Sequence, residues 1–334
     1  MLNKAFINLS TLKENALNIK SKLDKEVFFN AVVKADAYGH GAEMIANALY
    51  TIVDGFSVAL VEEGIALRQS GIDKEILVLN EPFDCDLVRG IEYGLTFSVQ
   101  SVITANKIAQ LSEHMNKTTS VHISVNTGMN REGVDGEFAL HNLIQCILNK
   151  KSLKLKGVYS HLKDASEKYA VKSQVDKFLL AIKCLNGYNI NIRYHISASG
   201  GFLVGLNFNM VRIGLLLYGY KPFDSNYISV KPIMNFVCPT VGERKLYKGQ
   251  SVLYGVNKLE SDKNATLLRL GYADGFFRKK GLDLLNNRCM DISAISGKNL
   301  FADFNADIMA KEYGTISYEI LTNVTKRAEK IYYD

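Results

Sequence analysis

A lysine follows directly on a predicted strand near the start of the chain. The run 28–33 is apolar or aromatic except for Asn30, and Lys34 comes immediately after it. A lysine in apolar surroundings loses part of its preference for the ammonium form, and its free amine is then a nucleophile suited to Schiff-base chemistry. A strand-end lysine also commonly extends to solvent without a catalytic role. The residues behind Lys34 favour chemistry, because Tyr38 and glycines at 39 and 41 follow at once.

Other polar residues stand in or just after later apolar runs. They are Asn126 and Arg131 after 121–125, His161 after 157–160, Ser199 after 192–196, and Arg212 with Gly214 at 210–213. The carboxyl ends of parallel barrel strands converge on one face, and that face carries the chemistry of such barrels. The sequence therefore predicts one site that combines an amine, two guanidinium groups, an imidazole and a hydroxyl.

Eight short runs of apolar, β-branched or aromatic residues supply the strands that position these groups. The runs are 28–33, 56–61, 76–79, 96–99, 121–125, 157–160, 192–196 and 210–213. Most intervals between them hold apolar residues at helical spacing, as in 175–185. Strand and helix alternate, which predicts an α/β protein with an N-terminal (β/α)8 TIM-like barrel. A doubly wound parallel sheet is the alternative.

The pattern changes after three of the chain's four prolines, which fall between 222 and 239. Beyond them the strand-like pieces are 251–254, 265–270, 291–295 and 314–320. We therefore predict a barrel domain of residues 1–228 and a smaller, mainly β C-terminal domain of residues 229–334. The early run 5–9 is also strand-like, and we expect it to pair with the second domain.

The composition is that of a globular chain with a large core, since 47% of its 334 residues are hydrophobic and 22% are charged. Forty Lys and Arg face 34 Asp and Glu, but the basic residues are scattered, so we expect no nucleic-acid partner. The five cysteines form no CxxC pair and no cluster with histidine. We therefore expect no metal site and a cytoplasmic location. No stretch reaches the roughly 18 apolar residues of a membrane span, so we expect no membrane anchor.

Four motifs resemble those of one known enzyme family. VKADAYGHGA at 33–42 is similar to the lysine motif of the alanine racemase family, which depends on pyridoxal phosphate and has fold type III. RLGYADG at 269–275 resembles its catalytic-tyrosine motif, VRIG at 211–214 its cofactor motif, and CMD at 289–291 its carboxylate-binding turn. Because the motifs extend over almost the whole chain, the sequence is identified as a member of this family. The resemblance implies an isomerase that interconverts L- and D-alanine.

The resemblance also implies pyridoxal 5'-phosphate as the cofactor and a two-base mechanism. The cofactor, bound covalently by Lys34, would take up the electrons left at the substrate's Cα when its proton departs. Racemisation needs a proton-transfer group on each face of that carbon, and the family assigns these roles to Lys34 and Tyr272. Tyr272 would remove the proton from the L isomer. It is expected to reach from the smaller domain of one subunit into the partner's barrel, in a head-to-tail homodimer.

Further residues around the cofactor follow from the same resemblance. Arg212 is expected to face the pyridine nitrogen, which a permanently protonated guanidinium keeps unprotonated. His161 is expected to hydrogen-bond Arg212 and to help orient Tyr272. The phosphate is expected to meet backbone N–H groups and small hydroxyls. The residues implied are Tyr38, Ser199, Gly214, Leu215 and Tyr318.

Substrate binding is expected to involve one residue of the barrel and a turn of the second domain. Arg131 matches the family's arginine that holds the cofactor's phenolic oxygen and the substrate carboxylate, for which a guanidinium has matching geometry. The main-chain N–H of Met290, in the turn with Asp291, would assist from the partner subunit.

The sequence departs from the family pattern near the expected substrate entrance and its surroundings. Ser124 stands where many members have a lysine that supports the equivalent of Arg131, and Asn126 replaces an aspartate. Ala198 replaces an asparagine, and the segment 162–164 reads LKD where the family usually begins Phe-Ala. These positions bear on the choice of substrate more than on racemisation itself.

The departures leave other functions open. One is a racemase of broad or altered specificity, acting on serine, lysine or another amino acid. A fold-related decarboxylase is disfavoured because Arg212 takes the ring-nitrogen position. A non-racemising relative that only binds the cofactor has no need of Tyr272 and Met290 in a second domain. By resemblance, the expected role of the enzyme is D-alanine biosynthesis.

Overall fold

The computed structural model describes residues 2–188, 190–278, 284–296 and 304–334. The chain begins with strand β1 (Lys4–Asn8) and helix α1 (Leu9–Lys20). The side chain of Asn8 accepts a hydrogen bond from the backbone N–H of Thr11 at 2.7 Å, which caps the start of α1.

Eight parallel strands form one sheet that closes almost completely into a barrel. They are β2 (Phe28–Val32), β3 (Gly55–Val58), β4 (Glu75–Val78), β5 (Thr96–Val99), β6 (Thr119–Ser124), β7 (Leu153–Tyr159), β8 (Arg193–His195) and β9 (Met210–Ile213). β9 pairs with β2, and at the remaining seam the backbone N–H of Arg212 donates to Ser197 just beyond β8, at 2.9 Å. Each strand overlaps a predicted run. The predicted (β/α)8 barrel is therefore confirmed.

Helices follow the strands around the barrel. They are α2 (Lys34–Tyr38), α3 (Ala42–Leu49), α4 (Val61–Gln69), α5 (Asp84–Glu92), α6 (Val102–His114), α7 (Glu137–Leu148), α8 (Lys168–Lys183) and α9 (Ser199–Leu203). In α7 the buried residues Leu140, Leu143, Ile144 and Ile147 have the spacing of one helix face, so this face packs on the barrel. After β9 a short 3₁₀ turn, Leu215–Tyr218, ends the barrel.

Polar side chains fill part of the barrel interior. Ser98 of β5 hydrogen-bonds Tyr159 of β7 at 2.5 Å, and His122 of β6 hydrogen-bonds His195 of β8 at 2.8 Å. Each bond bypasses the strand between the two partners, so the side chains meet inside the barrel. Buried polar groups are tolerated when their hydrogen bonds are made, and this layer lies beneath the strand ends that carry the site.

A second sheet joins the two ends of the chain. β1 lies in its centre, antiparallel to β10 (Met234–Val237) and parallel to β14 (Glu329–Tyr333). The expectation that the early strand pairs with the C-terminal part is therefore confirmed.

The remaining C-terminal elements form a third sheet and two helices. The sheet is antiparallel and consists of β11 (Thr240–Leu246), β12 (Lys263–Leu268) and β13 (Ser293–Ser296), and the helices are α10 (Ala306–Tyr313) and α11 (Ser317–Val324). Two strand predictions are wrong. Residues 251–254 form a turn with a single bridge, and 314–320 lead into α11. The prediction stopped at Ile320, but the buried Leu321 and Val324 complete the spacing of a helix face.

Candidate active site

The carboxyl ends of the barrel strands enclose a cavity of about 700 Å³. Nine of the residues predicted for cofactor or substrate line it together: Lys34, Tyr38, Arg131, His161, Ser199, Arg212, Gly214, Leu215 and Tyr318. Tyr318 comes from α11, so the second part of the chain forms one wall. A cavity of this size that gathers several charged and hydroxyl groups is the usual setting of a small-molecule site.

Lys34 stands between β2 and a turn of unusual backbone. Its side chain lines the cavity, and burial lowers the pKa of its amine from 10.5, as does the positive charge of Arg131. The four residues after it have φ between 51° and 55°, which makes α2 a left-handed turn. This conformation costs roughly 1–2 kcal/mol for each residue other than glycine.

Neighbouring groups hold the left-handed turn in place. Glu63 of α4 accepts the backbone N–H of Ala35 at 2.6 Å. The carboxylate of Asp36 accepts the N–H of Ala42 at 2.8 Å through one oxygen and pairs with Lys330 of β14 at 2.8 Å through the other. The direction in which Lys34 leaves the strand is therefore set by contacts from two separate parts of the chain.

A hydroxyl-rich corner of the cavity fits a phosphate group. The hydroxyl of Ser199, which is 2% exposed, lies 3.4 Å from the N–H of Gly214 and 3.3 Å from that of Leu216. A Cβ at Gly214 would lie 2.5 Å from the hydroxyl of Tyr38, so only glycine leaves this corner open. Burial raises the pKa of Tyr38, and it raises that of Tyr318 to about 12. Both phenols therefore remain protonated and are hydrogen-bond donors.

Arg212 is buried at the cavity floor. Its guanidinium donates to Nδ1 and the carbonyl oxygen of His195 and, at 2.8 Å, to the carbonyl oxygen of Ser160. It also lies 4.9 Å from the ring centroid of Tyr159, within reach of a cation–π contact. Burial lowers the pKa of Arg212 to about 10, so the group still carries its positive charge at neutral pH.

The histidine hydrogen-bonded to Arg212 is His195, whereas the family motifs predict His161 in that position. A guanidinium has no acceptor, so Nδ1 of His195 must be unprotonated and its proton must sit on Nε2. That proton is donated to Nδ1 of His122, whose Nε2 faces Glu75 at 3.7 Å. Burial lowers the pKa of both histidines well below 6.5, which agrees with two neutral rings.

Sequence reasoning missed His122 and His195, although a signal was present. Each histidine lies within a predicted strand and is followed by isoleucine and serine, in VHIS at 121–124 and YHIS at 194–197. His161 itself lines the cavity, and burial together with the charges of Arg212 and Arg131 lowers its pKa to about 3. It is therefore neutral in the physiological range.

The loop that carries Arg131 is organised by Asn126. The side-chain oxygen of Asn126 accepts the backbone N–H groups of Gly128 and Asn130, at 3.0 and 3.1 Å, and its amide donates to Asp135 at 2.8 Å. An aspartate could not make the last of these bonds, because it has no N–H to donate. Ser124 lies in the hollow beneath Arg131.

The other three predicted residues lie together, but outside the cavity of the same chain. The backbone N–H of Tyr272 donates to Cys289 at 3.1 Å, and that of Ala273 donates to Met290 at 3.0 Å. Met290 and Asp291 line a separate hollow beside β12. Tyr272 and Met290 are 39% and 54% exposed. Within one chain, therefore, the structure brings nine site residues together and holds Tyr272, Met290 and Asp291 elsewhere.

Comparison with known proteins identifies the family of this chain. The family profile "Alanine racemase, N-terminal domain" matches residues 7–222. The alanine racemase of Carboxydothermus hydrogenoformans is 32% identical over 98% of each chain, and alanine racemase 1 of Bacillus subtilis is 31% identical over 98% of this chain and 92% of the relative. The chain belongs to the alanine racemase family.

Solved structures of alanine racemases have the same fold as this chain. The alanine racemase of Clostridium difficile 630 superposes with a TM-score of 0.95 at 28% identity, covering 100% of this chain and 96% of the other. The Bartonella henselae alanine racemase, solved with covalently bound pyridoxal phosphate, gives a TM-score of 0.87 at 25% identity, with 100% of both chains covered. Among the described residues, no helix is long and apolar enough to cross a membrane.

Proposed function

We propose that this protein is an alanine racemase, an isomerase that interconverts L- and D-alanine with pyridoxal 5'-phosphate. The observation that carries the proposal is the gathering of Lys34, Arg131 and Arg212 with the hydroxyl-rich corner in one cavity. Full-length relatives named alanine racemase support the assignment to alanine. None of the five cysteines, all of which lie in the described part of the chain, forms a disulfide bond, which suits a cytoplasmic enzyme.

The residues present fit the cofactor. Ser199, Tyr38, Tyr318 and the N–H groups at Gly214 and Leu215 would hold the phosphate, because the open corner at Gly214 is lined by donors. Arg212 would donate to the ring nitrogen and Lys34 would hold the cofactor covalently. When bound, pyridoxal phosphate delocalises the electrons left on the substrate's Cα after its proton leaves.

Two groups of the protein would move the proton. Lys34 would act on Cα from the barrel side, and its lowered pKa leaves a larger fraction of the amine unprotonated, and so available as a base, than in an ordinary lysine. Tyr272 would act on the opposite face and would come from a second copy of the chain, because it lies outside the cavity of its own. We therefore propose a homodimer in which the barrel of 1–228 and Tyr318 of the same chain form each site, and the domain of 229–334 of the partner completes it with the turns of Tyr272 and Met290.

The substrate carboxylate would lie between Arg131 and the partner's turn. Arg131 lines the cavity beside His161, whose neutral ring adds no charge to compete for the carboxylate. The N–H of Met290 would be the second donor. Asp291 is already paired with Arg327 at 2.9 Å, so we assign it to holding the turn.

A racemase of altered specificity is the second candidate. The observation that favours it is that Lys163 and Asp164, which depart from the family pattern, both line the cavity. A longer or polar substrate side chain would meet these charges, whereas the methyl group of alanine would gain nothing from them.

The test is proton NMR in D2O of the cofactor-loaded protein with a panel of L-amino acids, together with chiral separation of the products. We expect loss of the Cα–H signal and formation of the D isomer, fastest with alanine. Faster exchange with serine or lysine would support the second candidate. No exchange in a protein that holds its cofactor would contradict racemisation, and release of carbon dioxide would indicate a decarboxylase.

A further inference from the structure

The turn that carries Tyr272 and the turn that carries Met290 form one unit. Two backbone hydrogen bonds, from Tyr272 to Cys289 and from Ala273 to Met290, join them. A Cβ at Gly271 would overlap the carbonyl of Met290, so the two backbones touch. A movement of either turn is therefore transmitted to the other.

Arg327 lies between these two turns and interacts with a carboxylate from each. Its Nε is 3.6 Å from Oδ1 of Asp274, which ends the tyrosine turn, and its Nη1 is 2.9 Å from Oδ1 of Asp291. Arg327 belongs to the short connection between α11 and β14, outside both turns. One guanidinium thus joins three separate segments of the chain.

The contact with Asp274 matters most because this carboxylate is 5% exposed. Its second oxygen accepts the backbone N–H of Gly271 at 2.8 Å, which closes the turn around Tyr272. A buried carboxylate needs a nearby positive charge, and without one it moves toward water. Such a movement would weaken the bond that shapes the turn.

We propose that Arg327 is a positioning residue for racemisation, and that it fixes the orientation of Tyr272 by holding Asp274 and Asp291 together. The inference rests on the proposed function. Arg327 lies outside the four family motifs, and the proposal adds it to the residues that determine the position of Tyr272. Proton transfer falls steeply when the donor or acceptor is displaced, and an error of about 1 Å can lower the rate about 100-fold.

The test compares Arg327→Met and Arg327→Lys with a matched control, Lys326→Met. Lys326 is the adjacent exposed cation, and its amine contacts Asn323 at 2.7 Å. For each cofactor-loaded variant, rates are measured in both directions with ordinary and Cα-deuterated alanine. Tyr272 removes the label from the L isomer and Lys34 removes it from the D isomer.

A misplaced Tyr272 would slow only its own proton transfer. We expect Arg327→Met to lower kcat about 10- to 100-fold. The kinetic isotope effect of Cα deuteration should rise in the L-to-D direction, because Tyr272 breaks the labelled bond there. It should fall toward one in the D-to-L direction, because the slow step is then the later proton transfer from Tyr272. Arg327→Lys keeps the positive charge but cannot contact both carboxylates with separate nitrogens. Both isotope effects should therefore change in the same directions as in Arg327→Met, but by smaller amounts. Lys326→Met should leave both effects unchanged.

Two controls separate a positioning role from loss of structure. Cofactor absorbance and sedimentation check that each variant keeps its cofactor and assembly, and Arg327→Lys serves if Arg327→Met does not fold. A lower rate with both isotope effects unchanged would overturn the positioning role, as would an unchanged rate. Absence of racemisation by the unmodified protein would contradict the proposed function itself.

Discussion

The ionisation of Lys34 depends on the charges that surround it in the cavity. Burial and the guanidinium groups of Arg131 and Arg212 disfavour its ammonium form, whereas Glu63 and Glu132 favour it. The first set prevails, and the pKa is lowered from 10.5. An amine that is desolvated before the cofactor arrives is ready to attack an aldehyde.

We expect Arg131→Met to raise the pKa of Lys34, because the substitution removes the second-largest cause of its lowering. In the cofactor-free protein, competitive acetylation followed by mass spectrometry would show Lys34 reacting at lower pH than the reference value of 10.5 implies. The variant should need a higher pH for the same labelling, with exposed Lys25 as the internal reference. A midpoint that stays in place would show that Arg131 does not act on this amine.

The phenol of Tyr272 is the proposed second proton-transfer group. Tyr272→Phe should lower racemisation by about 100- to 10,000-fold, the usual contribution of a general acid or base. The cofactor should stay bound, because the substitution changes none of the cavity residues proposed to hold it. Tyr254→Phe, at a tyrosine that is 77% exposed in the same part of the chain, is the control. Substantial L-to-D activity in Tyr272→Phe would contradict the two-base assignment.

His195 links Arg212 to His122 inside the barrel. His195→Phe keeps an aromatic ring at this position but removes both ring nitrogens. A guanidinium N–H of Arg212 and the Nδ1 atom of His122 then lose their hydrogen-bond partner. Each unsatisfied buried group costs about 1–3 kcal/mol, so urea unfolding should show a loss of at least about 1 kcal/mol. His114→Phe, at an exposed position at the end of α6, should change the free energy of unfolding much less. Equal losses would show that the histidine pair contributes nothing specific.

At the scale of the element, the left-handed turn after Lys34 is the feature that local sequence did not reveal. ADAY at 35–38 contains good helix formers and predicts nothing unusual. Its backbone is set by distant contacts, from Glu63 of α4 and from Lys330 of β14. The glycines at 39 and 41, which also have positive φ, mark that a turn exists but not its hand.

Ala35→Gly should stabilise the protein by up to about 1 kcal/mol, because Ala35 is exposed and has φ of 51°, where glycine is unstrained. Ala66→Gly, within the right-handed helix α4, should destabilise it by about 1 kcal/mol. Thermal unfolding of the cofactor-free variants would show changes of opposite sign. Two losses of similar size would mean that residue 35 is not held in the left-handed region.

Other elements show where sequence patterns suffice. The barrel strands are apolar runs buried on both faces, and such runs are visible without knowledge of their partners. Residues 314–320 were wrongly predicted to be a strand, because β-branched Thr315 and Ile316 precede a helix whose buried residues extend to Val324. The site motifs predicted nine cavity residues, whereas Arg327 and the histidine pair act through contacts between segments far apart in sequence.

At the scale of the whole molecule, the separation of Lys34 from Tyr272 predicts complementation between subunits. Lys34→Ala and Tyr272→Phe should each retain about 1% of the activity or less. When the two variants are refolded or co-expressed together, half of the dimers should contain one chain of each. Each such mixed dimer would have one site in which both Lys34 and Tyr272 are intact. We expect about a quarter of the unmodified activity. No recovery in mixed dimers verified by mass spectrometry would show that both residues serve the same chain's site.

The segment from α11 to β14 contacts both the cavity of its own chain and the turns of Tyr272 and Met290. Its Tyr318 lines the cavity and its Lys330 pairs with the turn behind Lys34, while Arg327 between them holds the turns of Tyr272 and Met290. In the proposed dimer, Tyr318 and Lys330 therefore serve the catalytic centre of their own chain, whereas Arg327 serves that of the partner. A shift of Tyr318 in one centre would be carried along this segment to the tyrosine of the other, so the connection from α11 to β14 would couple the two centres mechanically.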